Sequence, residues 1–140
     1  INIFIFKGKK VGQHKGYPFY TVGQRRGLEI ALGAPVFVKE IVPETNTVIL
    51  GDKEDLEENH LQVRDFNLIK YEHLPEDFVG LTKIRYKDPG TLATINTIDD
   101  KLDFIFHSPV NGVAPGQSAV FYEGNDLVGG GFINRKNPNF

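Results

Sequence analysis

Apolar and polar residues alternate along the 140-residue chain in short runs, broken by glycine, proline, asparagine and aspartate. This is the pattern of β-strands with one buried face rather than of amphipathic helices. An apolar opening run, residues 1–6, leads into Lys7-Gly8-Lys9-Lys10, a hairpin turn. Residues 35–42 and 47–50 form a second hairpin around Pro43-Glu44-Thr45-Asn46, where proline and asparagine supply the turn. Residues 52–61 are the best helical segment: Asp52 can cap it, but Leu56 and Leu61 give so thin an apolar stripe that one or two turns are predicted. Six further strands are predicted at 66–71, 81–87, 92–98, 102–107, 118–122 and 126–133. Their turns fall at Asp88-Pro89-Gly90, Asp99-Asp100, residues 109–116 and Gly124-Asn125. Strands at this spacing predict a small closed barrel or a sandwich, and closure removes exposed edges. Residues 71–79 read as a linker containing Pro75, and the expected domains are 1–62 and 63–140.

Composition narrows the chemistry. No apolar run approaches the ~20 residues that span a bilayer, and the opening run lacks a signal-peptide layout, so no membrane partner is expected. A chain that starts at Ile1 and contains no methionine reads as part of something longer. It contains no cysteine, which excludes disulfides, thiolate zinc sites and cysteine nucleophiles within it. His14, His60, His73 and His107 have no ligand spacing, so no metal site and no catalytic residue are expected. The net charge of −2 conceals an asymmetry: residues 1–28 hold Lys7, Lys9, Lys10, Lys15, Arg25 and Arg26 and no acid, whereas the rest hold ten basic and eighteen acidic residues. A phosphate-facing surface is compatible with such a chain, as is a merely solvated basic edge.

Three segments combine residue types suited to a polyanion. In residues 12–28, Gly12, Gly16, Gly23 and Gly27 permit close backbone approach, and Gln24, Arg25 and Arg26 supply donors that suit phosphate oxygens. Tyr17, Phe19 and Tyr20 either pack inward or stack on bases, and the inward reading is preferred for Phe19 and Tyr20. His14 has no nucleophile or carboxylate near it in sequence, so it reads as a structural or RNA-contacting histidine. In Lys83-Ile84-Arg85-Tyr86-Lys87 a strand would place three cations on one face, with Ile84 and Tyr86 on the other, and taken alone this reads as an ordinary amphipathic strand with a solvated outer face rather than a basic stripe for a ligand. In Pro115-Gly116-Gln117-Ser118 a turn presents a glutamine just before a strand. Gly129-Gly130-Gly131 lacks the Gly-Lys-Ser/Thr ending of a phosphate loop and reads as a tight strand or bulge.

The chain resembles the bacterial tRNA-specific 2-thiouridylases. The resemblance rests on Gly12-x-His14-x-Gly16 followed by Tyr20-Thr21-Val22-Gly23-Gln24-Arg25-Arg26-Gly27-Leu28. It continues through Pro35-Val36-Phe37-Val38, Asn46-Thr47-Val48, Lys83-Ile84-Arg85-Tyr86, the run from Ala114 to Tyr122 and the three consecutive glycines. It implies a mainly β chain: a small central β domain, then a C-terminal six-stranded β-barrel, with at most one short helix. It also implies an ATP-pyrophosphatase domain upstream, carrying the Ser-Gly-Gly-x-Asp-Ser loop, ATP with magnesium and both catalytic cysteines, none of which is present in this sequence.

By resemblance the parent is a cytoplasmic enzyme that thiolates the wobble uridine of tRNA at C2, using ATP and a cysteine persulfide. This part, with no cofactor of its own, would bind and position tRNA, and a sulfur-donor protein is an expected partner of the parent. The family's tRNA contacts map onto Arg85, Tyr86 and Gln117. His14, Lys15, Gln24, Arg25 and Arg26 are expected either to touch tRNA or to brace the active site. Two rival readings stand beside this one: a structural or protein-interaction module that docks a sulfur-relay partner, and an unrelated translation-factor-type barrel that fits only the second half.

Overall fold

The structure, a computed structural model, describes residues 2–56, 59–110 and 116–134. The chain divides into two compact units, Ile1–Glu57 and Glu58–Phe140.

The first unit is a four-stranded sheet of β1 (Ile3–Phe6), β2 (Lys9–Gln13), β3 (Phe37–Val42) and β4 (Thr47–Gly51), in the order β2-β1-β4-β3. Lys7 and Gly8 both take positive φ, 51° and 78°, which gives the tight β1–β2 hairpin the twist it needs. Asn46 turns β3 into β4 from the left-handed region, φ 53°, after a 3-10 turn at Pro43–Thr45. β1 and β4 run parallel and the other pairs antiparallel. Phe4, Val38, Val48 and Leu50 fill the core, and Tyr20, Leu28 and Val36 anchor the long irregular stretch between β2 and β3 to it.

The second unit is a closed antiparallel barrel. Its strands are β5 (His60–Leu68), β6 (Phe78–Lys83), β7 (Thr91–Ile98), β8 (Lys101–Phe106), β9 (Ser118–Glu123) and β10 (Asp126–Ile133), in the cyclic order β10-β5-β8-β7-β6-β9. Alternate residues point inward, as Leu102, Phe104 and Phe106 do on β8 and Ala119 and Phe121 do on β9. The mainly β architecture with a six-stranded barrel is therefore as the sequence predicts. Only 3-10 turns, and no α-helix, occur among the described residues.

Three local expectations need correction. The predicted helix at 52–61 is only a 3-10 turn, Lys53–Leu56, in which Asp52 Oδ1 accepts the Glu54 N–H at 3.1 Å. β5 already begins at His60, because its pairing with β8 sets His60 opposite Ile105. β6 ends at Lys83, four residues before the predicted end of the strand. Among the described residues, no helix is long and apolar enough to cross a membrane.

Candidate nucleic-acid interface

The barrel's register brings two distant segments together. β6 pairs with β9 so that Lys83 lies opposite Val120. In an antiparallel pair, the chain leaving β6 then runs beside the chain entering β9. Lys83, Arg85, Lys87 and Asp88 accordingly share one open pocket with Gln117 and Ser118, of about 630 Å³, to which Ile84 and Val120 add apolar walls. Arg85, Tyr86 and Gln117, singled out in the sequence from two separate motifs, all line it.

The basic segment is not the predicted amphipathic strand. Ile84 is buried, whereas Tyr86 is 91% exposed, so the two do not share a face. The cause is a tight turn: the Asp88 N–H donates to the Arg85 carbonyl at 3.1 Å, and Lys87 takes φ 66°. Gly90 ends the loop at φ 99°, where a β-carbon would stand 2.7 Å from Leu81 Cγ. Arg85, Tyr86 and Lys87 are exposed on the rim, and Lys83 Nζ lies 5.2 Å from the centroid of the Tyr122 ring. Burial acts to raise the Asp88 pKa, but hydrogen bonds from the Ile84 and Gly90 N–H groups, with the nearby charges of Arg85 and Lys83, bring it below the ordinary carboxylate value. The pocket thus brings three basic side chains together with one carboxylate, on an otherwise acidic chain region.

Gln117 is presented by backbone pairing at the end of β10. Its carbonyl accepts the Ile133 N–H at 2.7 Å, and the Gly116 N–H donates to the Ile133 carbonyl at 2.8 Å. Gly116 has φ 87°, a conformation that L-residues rarely adopt. Pro115, the predicted start of this turn, lies outside the described residues.

The second set of candidates lies in the first unit. His14 is buried among Phe4 and Tyr20, with ring centroids 5.2 and 5.3 Å away. Its Nδ1 accepts the Gly16 N–H and its Nε2 meets the Asn46 carbonyl, both at 2.9 Å, which assigns the neutral tautomer protonated on Nε2. Gln24 Oε1 accepts the Thr21 N–H and its Nε2 donates to the Arg26 carbonyl, so this amide holds its own loop together. Lys15 pairs with Glu29 at 3.6 Å on the surface, Arg25 is half-buried and Arg26 is exposed. Tyr20 is core as expected, but Phe19 is 72% exposed, because the 3-10 turn at Tyr17–Phe19 directs it outward.

No cradle for nucleotide phosphates is formed by the glycine run. Gly129, Gly130 and Gly131 lie inside β10, where added β-carbons would stand 2.6 Å from the Asn67 carbonyl, 2.8 Å from the Ala119 carbonyl and 2.6 Å from Val63 Cγ1. The backbone is packed against both neighbouring strands, so ATP phosphates do not fit there. Among the described residues, no group of three or more His, Cys, Asp or Glu side chains is arranged to hold a metal ion.

Sequence reasoning missed one organising residue, Asp88, which it took only as a turn former. It also did not anticipate the pairs His60–Asp103, at 2.6 Å, and Thr94–His107, at 2.9 Å, the second of them only part-buried. Each pair joins residues from different parts of the chain, and no local spacing signals it.

Comparison with known proteins follows the same division. Residues 2–52 match the family described as tRNA methyl transferase PRC-barrel domain, and residues 58–133 match the aminomethyltransferase beta-barrel domain. The tRNA-specific 2-thiouridylase MnmA of Cytophaga hutchinsonii is 52% identical over 127 residues, which are 90% of this chain and 34% of that protein. Its namesake in Amoebophilus asiaticus is 46% identical over 136 residues, 95% of this chain and 36% of the relative. That of Carboxydothermus hydrogenoformans is 40% identical, again over 136 residues. The chain spans about a third of the length of these curated relatives.

Proposed function

The chain belongs to the tRNA-specific 2-thiouridylase family, and from that premise we propose that it binds and positions tRNA for a sulfur transfer carried out by a longer, cytoplasmic protein. The observation that carries this reading is the convergence of Arg85, Tyr86 and Gln117 on one cationic pocket. Arginine's planar fork suits phosphate oxygens, an exposed tyrosine offers a stacking face, and a glutamine amide both donates and accepts. Such a set recognises backbone and shape more than base sequence, as A-form helices require. The chain contains no cysteine to carry sulfur, so its share of the reaction is to hold the uridine where activation can occur. In this reading ATP, magnesium, the persulfide and the sulfur-donor protein act on other parts of the longer protein. His14 and Gln24 brace the first unit, while Lys15, Arg25 and Arg26 remain candidates for tRNA contact.

The test is tRNA binding by the 140-residue chain across a KCl series. Arg85→Ala is expected to weaken binding about fivefold, roughly 1 kcal/mol, and to make the salt dependence shallower by about one unit of log–log slope. Gln117→Ala is expected to weaken binding with the slope unchanged, because it removes no charge. Unchanged affinity in both variants would sink the tRNA reading.

That outcome would favour a protein-interaction role, which has its own supporting observation. Leu92, Leu81, Tyr122 and Leu127 pair in register across β7, β6, β9 and β10, and Leu92 and Leu127 are exposed. This row forms an apolar stripe on the barrel's outer face.

A further inference from the structure

The loop between β6 and β7 has an unusual internal support. Ile84 N–H donates to Asp88 Oδ2 and Gly90 N–H to Asp88 Oδ1, each at 2.9 Å. One carboxylate therefore ties both ends of the segment, while the Asp88 N–H closes the turn on the Arg85 carbonyl. Ile84 is anchored in the barrel core, and Gly90 has no room for a side chain on its Leu81 side. Between these fixed points Arg85, Tyr86 and Lys87 project outward, with Lys87 held in the left-handed region. A non-glycine residue stays there only where its surroundings over-determine it.

We propose that Asp88 is a positioning residue for tRNA: its carboxylate, tied to the Ile84 and Gly90 N–H groups, sets the turn that holds Arg85 and Tyr86 on the rim of the pocket shared with Gln117. This rests on the tRNA-positioning reading above. Charge alone gives the opposite expectation, because an acid beside a phosphate-facing pocket repels the ligand. Here both carboxylate oxygens are turned onto backbone donors, and their charge lies beside Arg85 and Lys83. An asparagine at this position removes the negative charge and keeps only one acceptor oxygen, so one of the two N–H groups loses its partner.

The two roles therefore move tRNA affinity in opposite directions. Asp88→Asn, Asp88→Ala and Arg85→Ala are made in the 140-residue chain and titrated with a tRNA transcript at one fixed KCl concentration. Positioning predicts that Asp88→Asn binds roughly threefold to tenfold more weakly. Its Ile84 or Gly90 amide should exchange about tenfold faster with solvent deuterium, while the thermal midpoint stays within a few degrees of the parent's. A purely electrostatic role predicts binding tighter by about twofold or more, through loss of one negative charge. If Asp88→Ala does not fold, Asp88→Asn and its amide exchange still decide. Binding by Asp88→Asn as tight as or tighter than the parent's, alongside a weakened Arg85→Ala, overturns this inference alone. Unchanged affinity in Arg85→Ala overturns this inference, and together with unchanged affinity in Gln117→Ala it overturns the tRNA reading as well.

Discussion

His14 sits where a sequence reader looks for chemistry and does structural work instead. Its ring lies among Phe4 and Tyr20, and its two nitrogens join the Gly16 N–H to the carbonyl of Asn46, the left-handed residue of the β3–β4 turn. Asn46 also accepts the Tyr17 N–H on its side chain and hydrogen-bonds Asn2, so the turn before β4 is one of the points that fasten the region rich in glycine and aromatics to the sheet. His14→Ala removes a buried ring and leaves a donor and an acceptor to be satisfied by water. The expected cost is about 2–4 kcal/mol, read as faster amide exchange across β1, β2 and β4. A variant as protected as the parent would show that the ring contributes little. The spacing of His14 between two glycines was visible in the sequence. The partner at Asn46 was not, because it lies 32 residues away and is brought close only by strand pairing.

Elements were legible where their signals are local. The positive-φ turn at Lys7-Gly8 and the proline–asparagine turn before β4 follow from residue type. β6 was overextended, because Lys83-Ile84-Arg85-Tyr86-Lys87 has the period of a strand, whereas the Asp88 carboxylate reaches back four residues and closes a turn at Ile84. Period-2 alternation cannot distinguish a strand from a loop whose polar and apolar residues happen to alternate. β10 shows the converse. Its three glycines predict a tight strand or bulge, and a register shift between Gly130 and Phe132 marks the bulge. Gly131 has room for no side chain: a β-carbon would meet Val63 Cγ1 at 2.6 Å and the Arg64 carbonyl at 2.7 Å. Gly131→Ala should destabilise the barrel by about 2–4 kcal/mol, because backbone rather than a flexible side-chain tip must move. Urea denaturation followed by tyrosine fluorescence checks this, and an unchanged midpoint would mean the β5–β10 seam can open at little cost.

The whole molecule combines a small mixed sheet and a closed barrel, and its charge is spread so that a nearly neutral total hides cationic ground in both units. The 140-residue chain, supplied with ATP, magnesium, tRNA and a persulfide donor, is expected to form no 2-thiouridine, as nucleoside mass spectrometry would show. Thiolation by this chain alone would contradict its assignment to positioning. The sequence by itself determined the mainly β class, the hairpin turns, the lack of thiol chemistry and the family likeness. Each of these depends on residue identity or on neighbours a few positions apart. Only the tertiary structure decided that Arg85, Tyr86 and Gln117 share a pocket, that Phe19 faces outward and that Asp88 shapes the cationic loop. The pocket depends on β6 meeting β9 across a closed barrel. That long-range pairing is set by burial and register, not by the residues at the site.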